Sequence, residues 1–137
     1  MISQLSNLNW LSVLAAFFAF FMLGYVWYVL LFSKQYKISL GKENETLPSS
    51  SLFIIGPAVC SMGYILASAI LMYALNINTY AGAIEFSLII GIGYLMCNTV
   101  NIAINPNIPR PFLYGLISGS YFLVGITIVN IILFAMK

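Results

Sequence analysis

Apolar positions gather into four long runs, 10–32, 52–75, 80–104 and 112–136, with polar residues confined largely to the breaks between them. A helix rising about 1.5 Å per residue needs roughly 20 mostly apolar residues to cross a bilayer core. Each run reaches that length, so the pattern predicts an all-α integral membrane protein, a compact bundle of four transmembrane helices forming one domain over 1–137. The first run is read as a retained helix. No Lys or Arg precedes Lys34, and the run exceeds the roughly 7–15 apolar residues of a secretory signal.

The breaks are chemically distinct. Residues 33–51 hold Lys34, Lys37, Lys42, Glu43 and Glu45, and then Pro48 followed by serines that suit a helix start. Asn76-Ile77-Asn78 is a tight connection, which predicts helices two and three as antiparallel neighbours. The stretch 105–111 contains three prolines, which end helix three by denying it further backbone hydrogen bonds.

Composition sharpens this picture. The chain is 62% hydrophobic and 6% charged, with mean hydropathy +1.02, whereas a soluble domain carries about a quarter charged residues. Lipid is therefore the expected solvent. A net charge of +2 with scattered lysines gives no nucleic-acid footprint. There is no histidine, and Cys60 and Cys97 lie in apolar runs, so no metal site, cofactor or enzymatic activity is expected. Lys34, Lys37, Lys42 and Arg110 fall in the two odd-numbered loops, and only Lys137 lies on the opposite side. Positive residues favour the cytoplasm. The expectation is a multi-pass cell inner (plasma) membrane protein, with loops 33–51 and 105–111 cytoplasmic and both termini outside.

Membrane helices associate through close packing and hydrogen bonds, so small residues mark candidate contact faces. On helix two these are Gly56, Cys60, Gly63 and Ala67, with Ala74 further along. Helix one offers Ser12, Ala15, Ala16 and Ala19, and helix four Gly115 and Gly119, with Gly125 slightly off their line. Gly91-Ile92-Gly93 is no nucleotide loop, because it lies mid-helix without the third glycine or a preceding strand.

The polar residues inside the runs carry the functional question. At 100° per residue, Ser87, Gly91, Tyr94, Asn98, Asn101 and Asn105 share one face of helix three. Tyr25, Tyr64, Tyr94 and Tyr121 place one tyrosine in or near the middle of each helix, and Asn130 lies at the depth of Ser87. These groups either satisfy one another between helices or line a polar path. Glu85 is the one charged residue well inside a run, a candidate intramembrane acid. It lies near the outer end and points away from the asparagines, which favours an interfacial or subunit-contact role over a proton relay.

The segment 9–34, with Asn9-Trp10, Gly24, Trp27-Tyr28 and Phe32 followed by Lys34, resembles the opening of a bacterial family known as domain of unknown function 1761. Arg110-Pro111 before the last helix is similar as well. The resemblance implies a four-helix inner-membrane protein and singles out Asn9, Trp10, Gly24, Trp27, Tyr28, Lys34 and Arg110. It implies no activity. Two functions stay open. One is a non-enzymatic subunit embedded in lipid that acts by assembly with itself or with a larger membrane complex. The other is a small-solute or ion pathway along helix three.

Overall fold

The computed structural model describes residues 1–137, and its regular structure is entirely helical. Four helices are long and apolar enough to cross a membrane: Trp10–Leu31, Leu52–Ala74, Tyr80–Ala103 and Pro111–Ala135. We call them the first to fourth spans. A short helix, Ser33–Ser39, follows the first, and a 3-10 turn, Ile2–Asn7, precedes it and touches the second.

Local chemistry sets the span ends. Asn9 accepts the backbone N–H of Leu11 at 3.0 Å and of Ser12 at 3.4 Å, capping the first span. Ser50 accepts from Leu52 N–H at 3.3 Å where the second begins. Thr79 accepts from Gly82 N–H at 3.0 Å and caps the third. Pro111 opens the fourth span, at a position whose N–H has no helical partner anyway. Asn76 has a positive φ of 52°, which makes the turn after the second span tight.

The fourth span is the centre of the bundle. Half of its most apolar window is buried, against 17–22% in the other three, and it packs on all of them. The core joins Val13, Ala16 and Phe20 of the first span to Ile65, Ala69 and Met72 of the second. Ala83 and Phe86 of the third and Tyr121, Ile126, Val129 and Leu133 of the fourth complete it. The second span packs on the first and fourth, and the third packs on the fourth. Spans two and three therefore share no extended face, which corrects the expectation drawn from their short connection. A tight turn fixes where two helices meet; the apolar and small faces of the fourth span decide what each lies against.

The second span also turns differently from its small-residue stripe. Its buried face is Ser61, Ile65, Ser68, Ala69 and Met72. Cys60, Gly63 and Ala67 are exposed, and a Cβ added at Gly56 or Gly63 would meet nothing within 4 Å. The predicted contact face of Gly56, Cys60, Gly63 and Ala67 is thus the outer one. The larger Ile65 and Met72 side chains bury more surface against the bundle than those small residues could. On the fourth span Gly115 and Gly119 are buried, and Cβ atoms there would reach Val100 at 2.9 Å and Met96 at 2.8 Å. Gly125 lies under the ring of Phe20, with no room for a Cβ.

At one end of the bundle the two polar loops meet. Gly41 has φ +66°, a conformation other residues adopt with strain, and a Cβ there would lie 3.1 Å from Pro109 Cγ. Arg110 N–H donates to Ser39 O at 3.3 Å, and the Arg110 guanidinium pairs with Glu43 at 3.7 Å. Lys137, at the opposite end, donates to Ile77 O at 2.9 Å and sits 4.8 Å from the Tyr73 ring centroid.

Candidate functional site

In lipid every polar group needs a partner, so the hydrogen bonds show which polar residues the fold has absorbed. Most hydroxyls bond back into their own helix. Ser61 donates to Pro57 O at 2.8 Å, Ser87 to Ala83 O at 2.6 Å, Thr99 to Leu95 O at 2.7 Å and Thr127 to Leu123 O at 2.8 Å. Few side-chain bonds run from one span to another, and three of them tie the first span to the fourth.

Those three use residues that the family resemblance singles out, or their contacts. The Nδ2 of Asn9 donates to Met136 O at 2.6 Å, while its Oδ1 caps the first span. Toward the other end, Trp27 Nε1 donates to Ile117 O at 3.0 Å. Trp27 lies in a wide π turn, Val26–Leu31. Between them Tyr121 donates to Phe20 O at 3.3 Å. A Cβ on Gly24 would come within 3.1 Å of the Tyr121 hydroxyl, so glycine there permits the close approach. Tyr28 stacks obliquely on Tyr121 at 5.1 Å and edge-on against Tyr36 at 4.9 Å. Trp10 and Lys34 are exposed near opposite ends of the first span, and Arg110 joins the loops as described.

The fourth inter-span bond is Asn130 Nδ2 donating to Ser87 Oγ at 3.0 Å, fully buried. Asn130 Oδ1 and Ser118 Oγ, also buried, make no hydrogen bond.

The rest of the polar set does not converge. Tyr25, Tyr94, Asn98 and Asn101 are exposed, on the outside of the bundle, and Tyr64 packs edge-on against Phe20 and Phe122 at 5.6 and 5.9 Å. No hydrogen bond links these residues to Ser87, Tyr121 and Asn130. The cause is local. Residues Gly91–Met96 form a π-helix, and a wide turn sets later residues back by roughly one position, about 100°. Ala83, Ser87 and Gly91 face the fourth span as an ideal helix requires. An unbroken helix would then bring Asn98 inward. Instead Met96 meets Gly119, Val100 meets Gly115, and Ala103 is buried. The asparagines are carried outward.

Asn105 donates to Ile102 O at 2.6 Å and accepts from Asn107 N–H at 2.8 Å, closing the third span. Glu85 is exposed on that span, and the Arg110–Glu43 pair is the one salt bridge of the chain. No three His, Cys, Asp or Glu side chains gather in a metal-holding group.

Four apolar spans around a central fourth helix, with a polar layer held mainly by intrahelical bonds, define a multi-pass helical membrane protein. A family model matches residues 11–134, and the chain belongs to that family, the proteins of unknown function DUF1761. No curated protein and no solved structure shows a significant match.

Proposed function

We propose that the protein acts by assembling with further copies of itself in the bilayer, as a non-enzymatic subunit whose contact face is the outer side of the third span. The observation that carries this is the outward set Tyr94, Asn98 and Asn101, which makes no hydrogen bond within the chain and lies in a membrane-spanning segment. An unsatisfied polar group in hydrocarbon costs several kcal/mol, and carboxamides across a helix pair are a recognised source of association. Asn98 lies five residues inside Ala103, the end of the span, about 7 Å at 1.5 Å per residue, too deep for its short side chain to reach the headgroups easily. A second copy offering the same face supplies donor and acceptor to each carboxamide. The alternative of a polar-solute path loses its enclosing wall in a single chain, so any path would run between copies along this same face.

The distribution of charge supports the cell inner membrane with the end bearing Lys34, Lys37, Lys42 and Arg110 in the cytoplasm. The family resemblance suggests a bacterial membrane. Both termini then lie outside.

Cys97 is exposed beside Asn98 and serves as a native crosslinking probe. In membranes, a Cys60→Ala protein treated with a thiol oxidant should give a disulfide-linked dimer through Cys97. A single cysteine at Val59, exposed on the second span, should stay monomeric in a background lacking both native cysteines. Adding Asn98→Leu and Asn101→Leu to the Cys97 protein should abolish the dimer. A monomer in every case, with Cys97 readily alkylated, would sink the self-assembly reading. Adducts with a different protein would move the reading to a subunit of a larger complex.

A further inference from the structure

At the basic end of the first span an open groove of about 610 Å³ runs from exposed Leu30 and Leu31 to Ser33, Lys34 and Lys37. A smaller hollow of about 190 Å³ adjoins it and shares the two lysines. We propose that this groove binds the phosphate headgroup of an anionic phospholipid, with Lys34 and Lys37 on the phosphate and an acyl chain along Leu30 and Leu31.

Three observations converge on it. The groove begins where the first span ends, at Leu31, which is headgroup level, where juxtamembrane lysines attract anionic lipid. Its wall changes there from apolar to cationic, as the lipid itself changes from chain to phosphate. Finally, its two lysines have no carboxylate within ion-pair distance. Glu43 also lines the groove, but its carboxylate is engaged by Arg110 at 3.7 Å, the one salt bridge of the chain. That pairing leaves the groove with a net positive lining and an unmatched pair of ammonium groups. Gln35 supplies a further hydrogen-bonding side chain on the lining, suited to headgroup oxygens.

The test measures lipid retained by the full chain after purification from nanodiscs of phosphatidylcholine mixed with phosphatidylglycerol, read by native mass spectrometry. The wild type should retain phosphatidylglycerol preferentially. Each lysine is expected to account for about fivefold of that preference, so Lys34→Gln/Lys37→Gln should lose most of it and Lys34→Arg/Lys37→Arg should keep it. Lys42→Gln, a charge outside both hollows, should change it little. Circular dichroism and a thermal melt confirm that each variant is folded; neither lysine belongs to the core. Unchanged retention in the Lys34→Gln/Lys37→Gln protein would overturn the proposal, as would an equal loss in Lys42→Gln, which would mean diffuse surface charge. Displacement of the lipid by inorganic phosphate alone would assign the groove to the free anion and overturn the lipid reading.

Discussion

The carboxamide of Asn9 serves two helix ends at once, capping the first span with its oxygen and holding the Met136 carbonyl at the end of the fourth with its nitrogen. The two functions separate by substitution. Asn9→Ser keeps a cap acceptor and should lose only the inter-span bond, about 0.6 kcal/mol. Asn9→Ala should lose the cap as well, a further ~1 kcal/mol. Unfolding in mixed micelles with increasing dodecyl sulfate orders the two, and equal losses would show that the inter-span bond alone matters. Tyr36, outside the spans, carries a pH dependence of definite sign. Burial against Tyr28 and Tyr114 raises its hydroxyl above the ordinary 10.0. The folded state thus disfavours the phenolate, so its contribution is present below pH 10 and lost as pH rises through the folded value. Tyr36→Phe should flatten the alkaline fall in stability, and an unchanged alkaline limb would remove Tyr36 as its cause.

At the scale of the element, span limits were legible and span faces only partly so. Length and composition decide whether a helix crosses a bilayer, and each predicted end lies within one residue of the observed one. Facing depends on helical phase, and the 100° rule holds along the third span only as far as Gly91. The Ser87–Asn130 bond lies before the wide turn and was readable from depth alone. Asn98 and Asn101 lie after it and were misplaced by one residue of phase. A glycine-containing helix gives no sequence mark of a π turn strong enough to read unaided. The second span misled for another reason, since small residues mark a contact face only if a partner is present to use it. A direct comparison follows. Gly125→Val must displace the Phe20 ring and should cost about 1–3 kcal/mol. Gly63→Val meets open space and should fall within about 0.5 kcal/mol of wild type in detergent. A large loss at Gly63 would mean that its face is a contact in the solubilised protein.

For the whole molecule, the order of the spans along the chain understates the role of the last one. Gly115 and Gly119 let the third span, and Gly125 the first, approach the fourth span closely, and the inter-span hydrogen bonds described above all end on it. The loops then fall into two groups by geometry. Ser39, Gly41 and Glu43 reach Pro109 and Arg110 at one end, while Lys137 reaches Ile77 at the other. The pairing of loops at each end is fixed by the fold, and the side of the membrane each faces is set by charge. With four of the five basic residues at one end, that end should be cytoplasmic. Single cysteines at Asn107 and Asn78, in a chain lacking Cys60 and Cys97, report this directly. In intact cells an impermeant maleimide should label position 78 and spare 107, and lysis should expose 107. The reverse pattern would invert the protein in its membrane and place the lipid groove in the opposite leaflet. Labelling of both positions in intact cells would break the pairing of ends itself, because 78 and 107 lie at opposite ends of the third span.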